Sequence, residues 1–466
     1  MLKLIGILTF ILITHRMHVR ANYCYSLDRE KPQRRFFSDA TSYAYVRGAE
    51  YGRQYAAPFC RPSKFWLLAR HGTSLPDKQI LESLDELRML RNEVVANNRK
   101  TATSRPSNES LCAEDLKLIH YWNLDGNITV EHSNYLTIQG WNDMKSLAKS
   151  FKRIFPDLLG RGYDVKQFMF RYTNEQHTEA SYKAFVEGLF GKDAYLNISK
   201  VSRPIYPPLW LEKYKPKHQF VEEVNNFKKS SIVVRMISDV SARLGYPYPL
   251  TINLVELMWD ICRYEQSWYM DSPSAWCAAF TLSDHKILEY IQDLKSQYQT
   301  GYTSDFNSDT PCDALEDMIR RFEKSSDPRV AVSFSHSSII QLFLVALRAF
   351  KDDVLMTSLN YNEMWDRKWR TSRLTPYGAN ILAVKYDCSR DKKDPTPKVK
   401  FFLNQRVLTF PWCNADLCKM QDIINQYNAF FAVDLKSDIL PFDTSEINLR
   451  KAHFIVNAAI TLKGAD

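Results

Sequence analysis

Glycine is scarce in this chain, 14 among 466 residues, which excludes glycine-rich linkers and low-complexity segments as organising features. No internal repeat is present, so solenoids and propellers are excluded as well. No Cys-x-x-Cys occurs and no His-x-x-x-His follows, so the cysteines do not spell a zinc module. No run of five Lys or Arg and no nucleic-acid motif appears, and no nucleic acid is expected as a partner. Beyond the first two dozen residues no apolar stretch reaches spanning length, so no transmembrane span is expected in the mature chain.

What remains is a soluble, aromatic-rich composition: 45% apolar and 25% charged residues, with 26 Phe and 25 Tyr. The length exceeds what one hydrophobic core usually serves, which predicts two intimately packed lobes. Lys3 precedes the apolar run Leu4 to Ile13, and Val19-Arg20-Ala21 offers small outer residues to a signal peptidase. Residues 1–21 therefore read as a signal peptide and the chain as a secretory-pathway protein, extracellular or held at the cell surface. The rival reading, an uncleaved anchor, needs more apolar length than the run has. No retention signal closes the chain, and Phe454 to Leu462 is too short and polar for a lipid-anchor signal.

Nine cysteines suit an oxidising compartment. Cys262 with Cys277 and Cys413 with Cys418 are local disulfide candidates, and the odd thiol is expected to be Cys24. Asn108, Asn127 and Asn197 are glycosylation sequons. The formal charge is +9, and removing a leader that carries Lys3, Arg16 and Arg20 and no acid leaves +6. That excess suits an anionic small substrate.

The chemistry is concentrated at Phe65-Trp66-Leu67-Leu68-Ala69-Arg70-His71-Gly72-Thr73, an apolar strand that ends abruptly in a cation, an imidazole and a glycine. Imidazole attacks phosphorus without a helper base, guanidinium matches two phosphate oxygens, and glycine lets an anion approach the backbone. Downstream, Leu75-Pro76-Asp77 starts a helix whose apolar positions run Ile80, Leu81, Leu84, Leu87 and Leu90; Asn97 to Ser110 reads as loop. A second helix is predicted from Leu136 to Phe155 with Thr137 as N-cap. Phe168 to Tyr172 is a core strand, and Glu179 to Phe190 is a helix. Amphipathic runs such as Leu254 to Tyr264 and Ile287 to Tyr298 follow. Val330 to Phe334 then repeats the opening pattern, a strand emptying into Ser335-His336-Ser337-Ser338 before a helix from Ile339 to Phe350. Strands at Ala379 to Tyr386 and Lys398 to Leu403 complete the sheet. Two strand-end histidines with a helix start after each point to one anion pocket shared by Arg70, His71 and His336.

These segments resemble the histidine acid phosphatases, and within them the multiple inositol polyphosphate phosphatases. The likeness rests on Ala69-Arg70-His71-Gly72-Thr73 with Pro76, then Leu136-Thr137 with Gly140, Phe155-Pro156, and Ala184-Phe185 with Gly188-Leu189. It continues through Ser274-Ala275-Trp276-Cys277, Ile287-Leu288-Glu289-Tyr290, Thr375-Pro376-Tyr377-Gly378-Ala379-Asn380 and Leu403-Asn404. The amphipathic runs between Pro204 and Phe322, broken by proline-rich joints at Pro204 to Pro216 and Pro247 to Pro249, read as a mostly helical lobe inserted into a histidine-phosphatase-like α/β sandwich: a discontinuous core of residues 22–203 and 324–435, a helical lobe over 204–323 and a tail over 436–466. The resemblance implies a nucleophilic His71 and phosphate binding by Arg70 and His336, with Thr73, Ser74, His177 and Ser338 at further substrate-contacting positions. No cofactor and no metal is implied. The ligand would be an anionic phosphorylated small molecule such as inositol hexakisphosphate.

Three departures from the family pattern accompany it. Ser74 stands where a second arginine is usual, His177 where a third phosphate-binding arginine is usual, and Ser338 where the family carries its proton donor. His177, protonated at acidic pH, would stand in for the arginine; Asp77, Glu175 and Glu179 are replacement acids to weigh. Two functions follow: a secreted phosphomonoesterase with weakened chemistry, or a catalytically silent relative that binds phosphorylated ligands or a surface partner.

Overall fold

A computed structural model describes residues 23–48, 52–101, 110–198, 219–303, 307, 313–325, 328–413 and 416–431. The expected leader over 1–21, the proline-rich joint from Pro204 to Pro216, Asn108, Cys312 and the tail over 436–466 lie outside them. Seven strands form one mixed sheet: β1 (Arg61–Arg70), β2 (Phe168–Tyr172), β3 (Val330–Ser335), β4 (Asn380–Asp387), β5 (Lys398–Leu403), β6 (Arg406–Leu408) and β7 (Cys418–Lys419). The order is β2-β3-β1-β4-β5-β6, with β7 also on β5; β2, β3 and β1 run parallel and the others antiparallel.

Strand alternation sorts the core into two layers. Phe65, Leu67 and Ala69 of β1 point to one face with Phe168, Phe170, Val330, Val332 and Phe334. There they meet α1 (Ile138–Ile154) and α2 (Gln176–Phe190). Met144, Leu147, Ala148 and Phe151 form the buried stripe of α1, at the three- and four-residue spacing of a helix face. Trp66 and Leu68 point the other way, into a larger cluster shared with α3 (Ile252–Trp268), α4 (Leu282–Thr300), α5 (Asp313–Glu323) and α6 (Ser337–Ala346). A sheet buried on both faces explains why β1 and β3 read as continuous apolar runs.

The predicted strands at 168–172 and 398–403 are met residue for residue, and Thr137 does cap α1, its hydroxyl accepting from Gly140 N at 3.1 Å. Elsewhere the boundaries shift for local reasons. The helix expected after Pro76 is two, Lys78–Glu82 and Leu84–Thr101, because Ser83 turns its hydroxyl back onto the Gln79 carbonyl at 2.9 Å. The second of these runs on through part of the segment read as loop. The helix after His336 stops at Ala346, since Arg348 and Phe350 take left-handed backbone with φ of 55° and 58°. Cys262–Cys277 and Cys413–Cys418 are bonded as expected, and Cys60 is joined to Cys388. Cys24 is not the odd thiol: it bonds Cys112, the N-cap of the helix Ala113–His120. Asn127 and Asn197 are both exposed. Among the described residues no helix is long and apolar enough to cross a membrane.

Candidate active site

Three parallel strands deliver three histidines to one sheet edge. Arg70 and Ser335 are register partners at the ends of β1 and β3, and His71 N donates to Ser335 O at 3.0 Å, so His71 and His336 leave the sheet side by side. Beyond β3, β2 continues into Thr173, whose N–H donates to Phe334 O at 3.2 Å, and α2 begins three residues later with His177 in its first turn. His336 itself is the N-cap residue of α6. The ring centroids of His71 and His177 lie 4.2 Å apart, those of His177 and His336 5.3 Å, and those of His71 and His336 5.8 Å. The crevice beyond the carboxyl ends of parallel strands is where this class of sheet presents its ligand-binding groups.

Hydrogen bonds select the tautomers. His71 Nδ1 is 2.8 Å from Gly72 O and His177 Nδ1 is 2.7 Å from Asn134 O. A carbonyl only accepts, so both Nδ1 atoms carry the proton and both Nε2 atoms carry the lone pair. His177 Nε2 is buried and, among the described residues, has no hydrogen-bond partner. His336 Nε2 faces Thr173 Oγ1 at 3.2 Å and Glu175 Oε2 at 3.5 Å.

Burial makes protonation of all three rings unfavourable. His71 is held well below the ordinary imidazole range by desolvation, with His177, Arg70 and His336 adding to the effect. Desolvation, then His336, pushes His177 down to about 4. His336 is lowered mainly by desolvation, although Glu175 works against the shift. With its pocket free of anions His177 is therefore neutral at mildly acidic pH, because it is buried against another imidazole, and the positive charge expected of it needs a more acidic medium.

Arg70 is anchored beside this trio. Its Nη1 donates to the carbonyls of Asp39 and of Thr375, the latter at 2.8 Å, and its guanidinium stacks 4.5 Å from the centre of the Tyr377 ring. Nη2 stands 3.7 Å from Asp39 Oδ2, and Nε is buried with no hydrogen-bond partner among the described residues. Asp39 also accepts from Arg263 Nη1 at 3.0 Å. Desolvation alone would raise its carboxyl, but the two guanidinium groups outweigh it and hold it ionised below the ordinary carboxylate range. Nothing in the sequence around Asp39 marks it, since it sits in a three-residue 3-10 turn 31 positions from Arg70.

The other expected positions divide. Thr73 is fully buried and its hydroxyl donates to Asp143 Oδ2 at 3.3 Å, so that side chain is engaged with α1. Ser74 is buried, and its carbonyl accepts from Trp268 Nε1 at 3.1 Å and from the Tyr377 hydroxyl at 3.3 Å. Ser338 is half-buried in the first turn of α6, two residues past His336. Gly72 is corrected in its reason: its N–H donates to Ser181 Oγ at 3.0 Å, and a Cβ there would meet Gly140 O at 2.5 Å. Backbone packing against the start of α1 is what requires the glycine. Of the three replacement acids, Asp77 caps Lys78–Glu82 through Ile80 N and Glu179 pairs with Lys183 at 2.7 Å. Glu175 alone among them faces a site histidine.

Against known proteins, the chain matches the family described as histidine phosphatase superfamily (branch 2) over residues 64–404. It is 35% identical to multiple inositol polyphosphate phosphatase 1 of Drosophila melanogaster over 418 residues, 89% of each chain. With the Gallus gallus protein of the same name it shares 26% over 388 residues, 79% of this chain and 82% of that one. Among solved structures, the phytase from D. castellii superposes with a TM-score of 0.68 at 16% identity, covering 86% of both chains. The multiple inositol polyphosphate phosphatase of Bifidobacterium longum in complex with inositol hexasulfate superposes with a TM-score of 0.57 at 13% identity, covering 83% of this chain and 96% of that one.

Proposed function

The chain belongs to the histidine phosphatase superfamily, branch 2, and from that premise we propose that it is a secreted phosphomonoesterase that removes phosphate from inositol polyphosphates through a phosphohistidine at His71. The observation that carries this reading is the fixed tautomer of His71. With Nδ1–H committed to Gly72 O, Nε2 holds an in-plane lone pair, and burial keeps that lone pair free of a proton under acidic conditions.

In the first step His71 Nε2 bonds to phosphorus as the ester P–O bond breaks, and the departing alkoxide takes a proton. Glu175, entering the step as the neutral acid, is the donor this reading assigns, because its carboxyl lies 3.5 Å from His336 Nε2 and is 43% exposed. In the second step water attacks the phosphohistidine, Glu175 takes the water's proton, and inorganic phosphate leaves with His71 restored. Arg70, through Nε and Nη2, is the positive group nearest the transferring phosphoryl, and His177 and His336 flank it as ring donors or acceptors. A bound phosphate dianion would favour protonation of His177 and His336, so part of the missing charge is recruited by the substrate itself.

The chemistry is expected to be weakened. Loss of one preorganised charge-stabilising donor costs about 10²- to 10³-fold in turnover, and here two arginines of the family pattern are replaced. A silent phosphate-binding protein is the reading those replacements favour. One experiment separates the two: chelator-treated wild type and His71→Ala are assayed on inositol hexakisphosphate from acidic to neutral pH, with samples quenched in alkali, where the N–P bond of a phosphohistidine survives, to trap labelled phosphate on the protein. Turnover and label in wild type but not in the variant support the hydrolase. Equal rates, or no turnover in either, leave only the silent binder.

A further inference from the structure

We propose that His71, His177 and His336 form a binding site for one divalent transition ion of the zinc class. One ring nitrogen from each residue lies within 4.8 Å of the other two, and among the described residues this is the one such group built of imidazoles alone. A tetrahedral zinc site with nitrogen at about 2.0–2.1 Å needs ligand atoms roughly 3.3 Å apart, so small ring rotations close the remaining distance.

The surroundings have the features that metal-ligating histidines require. His71 and His177 each donate Nδ1–H to a backbone carbonyl, the outer contact that fixes a ligating tautomer and leaves Nε2 to the metal. His177 Nε2 is buried and, among the described residues, has no hydrogen-bond partner. That residue stands where the family pattern has an arginine, which would repel a cation. Arg70 opposes an ion, but Asp39 is ion-paired with it, and Glu175 adds a carboxylate 3.5 Å from His336. Three imidazoles with an open fourth position suit zinc, cobalt, nickel or copper over magnesium or calcium, which prefer oxygen ligands.

An ion here and a phosphohistidine at His71 exclude one another, because both need the Nε2 lone pair. The site is therefore a place where metal would silence hydrolysis reversibly. Binding itself needs only the three rings and does not depend on the phosphatase reading.

The test uses the chelator-stripped full chain in phosphate-free buffer. Calorimetry with Zn²⁺ and visible absorption with Co²⁺ are expected to show one ion per chain and a tetrahedral cobalt spectrum. His177→Arg and His336→Gln should each weaken binding by about 10²-fold or more, while His132→Gln, an exposed residue outside the cluster, leaves it unchanged. Melting curves confirm which variants are folded. Absence of binding to wild type at submillimolar metal overturns the proposal, as does undiminished binding by either folded ligand variant. If the metal-free wild type also fails to hydrolyse ester, that counts against the phosphatase reading alone.

Discussion

His71 and His177 hold the same tautomer for the same reason: each donates Nδ1–H to a backbone carbonyl, Gly72 O at 2.8 Å and Asn134 O at 2.7 Å, with the ring centroids 4.2 Å apart. Two neutral imidazoles in contact, both with Nε2 unprotonated, make a site rich in lone pairs and poor in fixed positive charge. That balance separates this pocket from one in which a guanidinium occupies the position of His177, and the behaviour of the nucleophile follows from it.

The proton donor is the first consequence to test. Glu175→Gln keeps the size and the contact with His336 but removes the acid, and is expected to lower kcat on inositol hexakisphosphate by about 10²- to 10⁴-fold. Ser338→Glu places a carboxyl in the first turn of α6, two residues past His336, where the resemblance implies a donor. It is expected to raise kcat in wild type and to recover much of the loss in the Glu175→Gln background. A steady-state comparison of the four proteins decides it. If Glu175→Gln is as active as wild type, the proton comes from elsewhere.

Asp39 offers a second test, of anion affinity. Asp39→Asn removes a negative charge beside Arg70 while leaving Arg70 Nη1 bonded to the two carbonyls and Arg263 paired with Asp260 at 2.7 Å. Because the Asp39 side chain is 41% exposed, screening keeps the effect modest. Vanadate should bind roughly two- to fivefold tighter. Weaker binding, measured by calorimetry, would mean that Asp39 acts chiefly by positioning the guanidinium.

Much of this arrangement was legible in the chain, and the physical reasons differ from part to part. β1 and β3 announce themselves because a strand buried on both faces has no polar alternation to confuse the pattern. Once two such strands are parallel neighbours, His71 and His336 must emerge together. His177 carries no such signal: it follows a short strand and a turn, and only the family resemblance draws attention to it. Asp39 and Asn134 were invisible, since each reaches the site through a backbone carbonyl or a tertiary ion pair from an irregular segment. Disulfide partners distant in sequence, Cys24 with Cys112 and Cys60 with Cys388, likewise depend on the packed fold.

Glu265 sets a pH dependence of stability away from the site. Its carboxyl is buried, accepting from Trp122 Nε1 and Ser274 Oγ, each at 2.7 Å. Desolvation outweighs those two bonds and raises it from 4.5 to about 7. A carboxyl raised on folding contributes its stabilisation fully below the unfolded value and loses it as pH climbs through the folded one. Glu265 therefore destabilises the chain increasingly between about pH 4.5 and 7, by on the order of 3 kcal/mol. Glu265→Gln can keep the Trp122 bond through its amide oxygen and reverse the Ser274 bond, its amide nitrogen donating to Oγ, and should be more stable than wild type at pH 8 but not at pH 4. Chemical denaturation at the two pH values reads this directly; a constant difference between the proteins would refute it.

The Cys60–Cys388 disulfide separates stability from catalysis. It joins the residue before β1 to the residue after β4, at the end of the antiparallel pair where Arg61 faces Asp387, while His71 leaves β1 at the opposite end. The bond closes a span of 328 residues, so its removal restores much chain entropy to the unfolded state. The paired variant Cys60→Ser, Cys388→Ser is expected to lose roughly 2–5 kcal/mol of stability, read as a lower denaturation midpoint. Its kcat at a temperature where both proteins are folded should match wild type, because β1 is held to β3 and β4 along its length by the sheet's own ladder. A drop in kcat without any loss of stability would show that strain at the far end of β1 reaches the histidines, and that the sheet is less rigid than its hydrogen bonding implies.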